Sequence, residues 1–308
     1  MIYLDHNAST PLLPEAAEAL VRCTPRPGNP ASLHQEGQAK RRQIEAAHKA
    51  VQGLTGGPDS KVVLTASGTE ADNLAVIGMA RRRRAQGCDR VVVSAIEHPA
   101  VLAAAHLLSG EGFRVTRVAV DSSGRIDLGA LAQSLDAQVA VVAVMLANNE
   151  TGVVQPVAEA AALAERCGIP LHTDAVQAAG KIPMDFAALG ASTLAISAHK
   201  LGGPRGIGAL VVSRQAALDP LWRGGGQEHG LRAGTQSAAL AAALAVAAEH
   251  AVTRASAPEV VPRRDALSAA LAKVPGAFVV AADAPRLPNT LSVGFTGVAS
   301  YALVDILS

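Results

Sequence analysis

The chain has 308 residues, a formal net charge of +1, 49% hydrophobic residues and 2% aromatic residues. This composition predicts an enzyme-sized protein with a large core, and it excludes both a basic phosphate-binding surface and an aromatic platform for nucleic-acid bases. The 3 cysteines have no paired spacing, which argues against a disulfide framework and a structural zinc site. We therefore expect neither a nucleic-acid partner nor a metal.

The same reasoning predicts a cytoplasmic protein without a membrane partner. The alanine- and leucine-rich stretch from Ala238 to Ala251 has roughly 14 residues, against about 20 needed to span a bilayer. The first residues, Met1-Ile-Tyr-Leu-Asp-His6, lack the basic and apolar regions of a secretory signal.

Short apolar runs that end in polar clusters are the main pattern along the chain. They lie at residues 62–64, 91–93, 139–146, 169–172 and 194–197. Helix-length segments such as Ala71–Arg84 and Val157–Cys167 lie between them. This alternation predicts an α/β fold with a largely parallel sheet wrapped by helices. Because ligands bind beyond the carboxyl ends of such strands, the polar clusters are expected to converge on one pocket.

The last part of the chain has a different pattern. Small and polar residues with Pro258 interrupt the helical pattern between residues 252 and 259, which indicates a boundary. A helix is predicted over 261–273, and strands are predicted over 277–281 and 290–295.

Lys200 ends the strand-like run that starts at Thr193, and a glycine-rich segment follows it. Desolvation at the end of a buried strand lowers the pKa of an amine, and pyridoxal phosphate enzymes use such a lysine to form a Schiff base with the cofactor. The alternative is a surface lysine in a glycine-rich loop.

Two further strand ends carry candidate catalytic groups. Asp174 follows Leu171-His-Thr, where a carboxylate can pair with a protonated pyridine nitrogen or cap a helix. His98 follows the run at 91–93, where an imidazole can stack on a ring, move a proton or be purely structural.

Nine segments together resemble the cysteine desulfurases of the NifS and IscS type, within the class V aminotransferase family of pyridoxal phosphate enzymes. They lie at residues 3–11, 28–37, 65–73, 97–99, 148–155, 172–177, 197–200, 224–235 and 288–291. The resemblance implies pyridoxal 5'-phosphate as cofactor and fold type I, with a large, mostly parallel seven-stranded sheet and a small α+β domain. The implied domains are 12–250, and 1–11 together with 251–308.

The resemblance also assigns roles to individual residues. Lys200 would form the Schiff base, Asp174 would pair with the ring nitrogen, and His98 would stack on the ring and transfer a proton. Gln177 would contact the phenolic oxygen, and Asn149 would lie near that oxygen and the substrate carboxylate. The groups implied to hold the phosphate are Gly68, Thr69, Ser197 and His199, with Thr235 from a neighbouring subunit.

Thr69 has support from the residues themselves. A Ser-Gly-Thr turn that opens a helix directs free N–H groups and the positive end of the helix dipole at an anion. The alternative is a plain N-cap at Thr69 with Asp72 as an approximate capping partner.

The implied reaction converts L-cysteine to L-alanine in a homodimer. Sulfur passes to an enzyme thiol and then to an acceptor protein for iron–sulfur cluster or thio-cofactor synthesis. Two alternatives remain open: another class V aminotransferase or lyase that needs no protein thiol, and a truncated cofactor-binding protein without turnover.

The chain departs from the family pattern in two places. It stops at Ser308, within a helix-like segment that starts at Ala299, before the family's nucleophilic cysteine, so the small domain is expected to be incomplete and to expose apolar surface. Cys23, Cys88 and Cys167 match no nucleophile motif and are expected to be ordinary small hydrophobic residues. Of the three, Cys88, near Arg84 and Arg90, is the best candidate for a reactive thiol. His229 replaces the usual arginine.

Overall fold

A computed structural model describes residues 2–254 and 259–307, without the side chain of Leu307. Its centre is a seven-stranded sheet in the order β1-β7-β6-β5-β4-β2-β3. The strands are β1 (Lys61–Thr65), β2 (Arg90–Ser94), β3 (Arg114–Val118), β4 (Val139–Ala143), β5 (Leu171–Asp174), β6 (Thr193–Ser197) and β7 (Gly208–Val212). The predicted α/β class and the five predicted strands are confirmed, although the run at 139–146 leaves the sheet after Ala143.

Neighbouring residues of the buried strands face two different hydrophobic cores. Val62 and Leu64 belong to one core, whereas Val63 between them belongs to the other. A sheet that is covered on both faces requires continuous apolar runs, because both sets of alternating side chains are buried. This two-sided burial explains the valine-rich segments in the sequence.

The sheet is mixed. The pairs β2–β3, β2–β4, β4–β5 and β5–β6 are parallel, whereas β7 is antiparallel to both β1 and β6. Sequence reasoning identified neither β3 nor β7. The edge strand β3 contains two arginines and a threonine among its five residues (Arg-Val-Thr-Arg-Val) and is partly exposed, and β7 lies in the glycine-rich segment that was interpreted as a loop.

Helices cover both faces of the sheet. They are α1 (Pro14–Cys23), α2 (Gln35–Thr55), α3 (Gly68–Arg84), α4 (Pro99–Gly110), α5 (Leu128–Ser134), α6 (Val157–Arg166), α7 (Phe186–Leu189) and α8 (Ala238–Arg254). Helices α2, α6 and α8 contribute to one core, and α3 and α4 to the other. The helices predicted at 71–84 and 157–167 are therefore confirmed, and the alanine- and leucine-rich stretch at 238–251 lies within α8.

The last described elements lie outside the central sheet. They are α9 (Val260–Leu271), the antiparallel pair of β8 (Ala277–Val279) and β9 (Val293–Phe295), and α10 (Ser300–Leu307). The predicted boundary at 252–259 falls partly outside the described residues. Phe278, Tyr301 and Val304 are 54%, 75% and 64% exposed. The division into domains 12–250 and 1–11 with 251–308 stays a prediction.

Within residues 2–254 and 259–307, none of the helices combines the length and the apolar character that a bilayer crossing requires.

Leu244, near the middle of α8, and Val252, near its end, differ in burial, and this difference predicts their contributions to stability. Leu244 is fully buried against the core, whereas Val252 is 49% exposed. We expect Leu244→Ala to lower the free energy of unfolding by about 2–5 kcal/mol, because it leaves a cavity. The matched change Val252→Ala should stay within about 0.5 kcal/mol of the original protein. Urea denaturation followed by circular dichroism measures both values, and equal losses would contradict the packing of α8.

Candidate active site

A cavity of about 480 Å³ lies at the carboxyl ends of the parallel strands. It contains nine of the ten predicted site residues: Gly68, Thr69, His98, Asn149, Asp174, Gln177, Ser197, His199 and Lys200. They come from segments far apart in sequence, as expected when several strand ends meet at one sheet edge. A larger groove of about 910 Å³, lined by residues such as Arg83, Pro170 and Arg214, includes none of them.

Lys200 lies in a short 3₁₀ turn after β6, and its amine points to the N-terminal segment of the chain. The Nζ atom donates to the carbonyl oxygen of Asn7 and, at 2.9 Å, to that of Ala8. Burial lowers the pKa of Lys200, and the nearby carboxylates of Asp174 and Asp5 only partly offset this effect. A lowered pKa makes the neutral, nucleophilic amine more accessible.

Asp174 ends β5 inside the cavity and accepts a 2.8 Å hydrogen bond from the backbone N–H of Val176. Burial raises the pKa of this carboxyl, although that hydrogen bond and the nearby His98 and Lys200 oppose the shift. A cationic ring nitrogen would relieve the cost of burying the charge.

A second carboxyl beside Asp174 was missed as a site residue by sequence reasoning. Oxygen atoms of Asp72 and Asp174 and a ring nitrogen of His98 all lie within 4.8 Å of one another. The pKa of Asp72 is raised well above its ordinary value by burial and by the charges of Asp174 and Glu97. His172 Nε2 lies 3.1 Å from Asp72 Oδ1, and burial lowers the pKa of His172 to about 3. His172 is therefore a neutral hydrogen-bonding partner.

The segment after β2 fixes His98 through a helix cap. Nδ1 of His98 accepts from the backbone N–H of Ala100 at 3.2 Å, which places the proton of a neutral ring on Nε2. The adjacent Glu97 is buried, and its Oε1 accepts 2.6 Å hydrogen bonds from Ser94 Oγ and the backbone N–H of Met145. Its Oε2 has no partner among the described residues. These contacts hold the start of α4 against β4.

The start of α3 forms the opposite side of the cavity. The residue that caps this helix is Ser67, whose Oγ accepts from the N–H of Glu70 at 3.1 Å, while Glu70 returns a bond to the N–H of Ala66. The alternative of a cap at Thr69 with Asp72 as its partner is therefore wrong, because the capping box begins two residues earlier and Asp72 is buried.

Gly68 allows the start of α3 to approach the ends of two strands closely. A Cβ at this position would lie 2.8 Å from Val176 Cγ2 and 3.4 Å from Ser197 Cβ. The first N–H groups of a helix have no acceptor inside the helix, and Ser67 Oγ takes only that of Glu70. The N–H groups of Gly68 and Thr69 thus remain for an anion. Ser197 Oγ lies 2.9 Å from His199 Nδ1 on the same side of the cavity.

Asn7 connects the remaining groups, and sequence reasoning did not identify it. Its carbonyl oxygen accepts from Lys200 and, at 2.9 Å, from Gln177 Nε2. Its side-chain amide donates to the carbonyl of Asn149 at 3.1 Å and to Thr290 Oγ1 at 3.2 Å. Asn7 lies in the segment 3–11, which matches the family pattern. This match and the polar residues of the segment were the features of the sequence that could have identified Asn7 as a site residue.

Thr235 is exposed and does not line the cavity of its own chain. Its loop is anchored by the buried Glu228, whose carboxylate accepts from the N–H of Leu64 at 2.9 Å, from Gln236 at 2.6 Å, and lies 3.1 Å from His48 Nε2. Burial opposes ionisation of Glu228, but these hydrogen bonds keep its pKa below the ordinary value. His229 has a positive φ of 61° in this loop.

The three cysteines lie away from the cavity. Cys88 is buried, with its Sγ 3.6 Å from Arg83 Nη2 and 3.5 Å from the carbonyl of Ala137. The expectation that Cys88 is the best candidate for a reactive thiol does not agree with this burial, since reactive thiols are partly exposed. Cys23 is partly buried at the end of α1, and Cys167 is exposed.

The family model described as aminotransferase class-V matches residues 2–308. The chain belongs to the aminotransferase class-V family. It is 41% identical to the cysteine desulfurase NifS of Azotobacter vinelandii, an alignment that covers 100% of the chain and 77% of that protein. It is 40% identical to an IscS-like cysteine desulfurase of Mycobacterium tuberculosis, covering 100% and 80%.

The fold is also shared with a solved structure described as a NifS-like protein. The TM-score is 0.94 at 33% identity, and the match covers 99% of the chain and 85% of that structure. The resemblance to NifS- and IscS-type proteins and the fold class are thereby confirmed.

The buried Glu97 predicts a pH effect on stability. Burial raises its pKa from 4.5 to about 8 in the folded chain, so the folded protein retains a proton that the unfolded chain releases. Stability is therefore lost as the pH rises through this window, and Glu97→Gln, which cannot ionise, should avoid this loss. The stability difference should change by at most about 1.4 kcal/mol per pH unit in favour of the variant.

Urea denaturation at several pH values between 5 and 8 measures this difference. The exposed Glu45 provides the control: Glu45→Gln should follow the pH dependence of the original protein. A Glu97→Gln protein that does the same would show that Glu97 is ionised throughout.

Proposed function

We propose that the chain is a pyridoxal phosphate-dependent cysteine desulfurase. The observation that carries this proposal is the placement of the Lys200 amine, the Asp174 carboxylate and the start of α3 around one cavity. The chain that supplies this cavity is about 40% identical to proteins named cysteine desulfurase over its full length.

The chemistry of the cavity fits pyridoxal phosphate. Lys200 offers an amine to the aldehyde, and Asp174 offers a buried carboxylate to the ring nitrogen. The amides of Gly68 and Thr69 offer donors to the phosphate, with Ser197 and His199 beside them. Because Gly68 has no Cβ, the start of α3 can lie this close to Val176 at the edge of the cavity. Gln177 and Asn149 would face the phenolic oxygen.

The bound cofactor supplies an electron sink that weakens the bonds to the substrate Cα. Lys200 then has a second task, since its amine can accept or donate a proton at the Cα. The carbonyls of Asn7 and Ala8 hold that amine in the cavity. His98, with its proton on Nε2, is the second group in the cavity that can transfer a proton.

The overall reaction requires a thiol besides the cofactor. L-cysteine and a thiol R–SH would give L-alanine and the persulfide R–S–SH, so the sulfur atom moves and no external oxidant is needed. None of Cys23, Cys88 and Cys167 lines the cavity. We therefore propose that the thiol that takes the sulfur is not one of these three. We also propose, from the resemblance to NifS- and IscS-type proteins, that an acceptor protein then carries the sulfur to iron–sulfur cluster or thio-cofactor synthesis.

The first test is an absorbance spectrum of the purified protein with pyridoxal phosphate, before and after L-cysteine is added. We expect a visible band that changes with L-cysteine and is absent in Lys200→Ala, because that variant has no amine to bond the aldehyde. Lys273→Ala, which removes an exposed lysine, is the control and should keep the band.

Alanine, sulfide and persulfide assayed in the same samples distinguish the alternatives. Alanine formation that rises when a small thiol such as dithiothreitol is added, with no persulfide on the protein, supports a desulfurase that lacks a thiol in its cavity. Persulfide found on Cys23, Cys88 or Cys167 would mean that this cysteine serves. Alanine alone does not decide, because the thiol of excess L-cysteine can also take the sulfur. A spectral change that produces another amine or keto acid would favour the aminotransferase or lyase alternative, and no band at all would exclude the cofactor.

We also propose a cytoplasmic homodimer in which Thr235 contributes to the phosphate site of the neighbouring subunit. Its exposure on its own chain supports this arrangement. Hybrid dimers of Lys200→Ala and Thr235→Ala subunits, isolated through two different affinity tags, should contain one intact site per dimer if Thr235 acts across the interface. Titration with pyridoxal phosphate measures the fraction of tight, band-forming sites. No tight site in the hybrids would place Thr235 in its own subunit's site.

A further inference from the structure

The turn that follows β5 brings Gln177 and Lys181 together. Hydrogen bonds of 3.0 Å from the N–H of Ala178 to the carbonyl of Ala175, and from that of Lys181 to the carbonyl of Ala178, coil the chain tightly. Side chains four residues apart lie on one side of such a turn. The turn begins directly after Asp174, the last residue of β5, and both Asp174 and Gln177 line the cavity. Lys181 therefore lies directly behind a residue of the cavity wall.

The hydrogen bonds of the Gln177 amide have a single consistent direction. Lys181 Nζ donates to Gln177 Oε1 at 2.8 Å, and Gln177 Nε2 donates to the carbonyl of Asn7 at 2.9 Å. An ammonium only donates and a carbonyl only accepts, so the reversed amide would oppose donor to donor and acceptor to acceptor. Lys181 and the carbonyl of Asn7 therefore favour the same orientation of the amide, with its NH₂ group toward Asn7.

Desolvation of the charged Lys181 amine in this position is energetically unfavourable. Burial lowers its pKa to about 8, and the charge of Lys200 acts in the same direction. In the described ranges, no carboxylate forms an ion pair with it. Among the residues that the structure describes, its amine bonds to Gln177 and, at 3.5 Å, to Asn7 Oδ1 only. Lys181 is half-buried, and a desolvated amine without a counter-charge depends on its hydrogen bonds to offset the cost of desolvation.

We propose that Lys181 is a positioning residue that orients the Gln177 amide, so that its NH₂ group is presented to the cofactor. The phenolic oxygen of pyridoxal phosphate is an acceptor, and it needs this donor and not the amide carbonyl. The inference rests on the proposed function, because it assumes that the cavity binds pyridoxal phosphate. Lys181 itself does not line the cavity, so it acts through Gln177.

A double-mutant cycle tests this coupling. Its four proteins are the original chain, Lys181→Met, Gln177→Ala and the double variant, and its readouts are the dissociation constant for pyridoxal phosphate and the wavelength of the visible band. We expect Lys181→Met to weaken binding about tenfold and to shift the band, because one oriented hydrogen bond is lost. In the Gln177→Ala background, the same change should weaken binding by no more than about twofold.

Three further proteins complete the experiment. Lys181→Arg keeps a donor and should restore binding to within about threefold of the original protein. Lys273→Met removes a distant exposed lysine and should bind normally. Circular dichroism checks the fold of each variant, and Lys181→Ala replaces Lys181→Met in the cycle if the latter is unfolded.

Equal weakening by Lys181→Met in both backgrounds would overturn the inference, because the lysine would then act through its charge or through general stability. A Lys181→Arg protein as weak as Lys181→Met would also overturn it. If the original chain itself does not bind pyridoxal phosphate, the proposed function fails, which is a separate result from a cycle without coupling.

Discussion

Burial of the central sheet on both faces is the constraint on which the rest of the structure depends. Val62, Val63 and Leu64 are all buried although they point to two different cores. A polar side chain inside such a strand needs a buried hydrogen-bonding partner, as His172 has in Asp72 and Thr193. Most of the polar groups that line the cavity lie instead at strand ends and in turns, which the parallel strands bring to one edge of the sheet.

The cavity at this edge and the residues directly behind its wall combine groups that would be unfavourable alone. Glu97, Asp72 and Asp174 are buried carboxyls with raised pKa values, and Lys200 and Lys181 are amines with lowered pKa values. Burial is the largest cause in all five groups. A molecule with a cationic ring nitrogen, an aldehyde and an anionic phosphate offers each part of this cavity a partner. The polarity of the site thus favours a ligand whose charges are separated along its length.

Sequence reasoning predicted the parts of the fold that depend on local pattern. The valine-rich strands and the alanine-rich helices have clear periodicity, and Lys200, Asp174 and His98 follow such strands directly. The strand β3 was missed because it is a half-exposed edge strand without a continuous apolar pattern. The strand β7 has a continuous apolar run, Gly208-Ala-Leu-Val-Val212, but this run follows directly on a glycine-rich segment and was interpreted as part of that loop.

The missed site residues act through distant contacts, which a linear pattern does not contain. Asp72 is four residues after Gly68 and looks like an ordinary helix residue, but it lies on the buried side of α3 opposite His172. Ser67 and Glu70 have the Ser-x-x-Glu spacing of a capping box in the sequence. The alternative interpretation placed the cap at Thr69 instead, two residues too late. The roles of Thr235 and of the domain boundary depend on a neighbouring subunit or on relative domain placement, so they stay predictions.

The contact between Asn7 and Lys200 also has a consequence for how the site is assembled. These residues are separated by 193 positions in the chain, and contacts of such long sequence separation form slowly because a large loop must close. The segment around Asn7 is thus expected to join the cavity only after the strand that precedes Lys200 is in place. Ligand binding at this site is therefore expected to be a late event in folding.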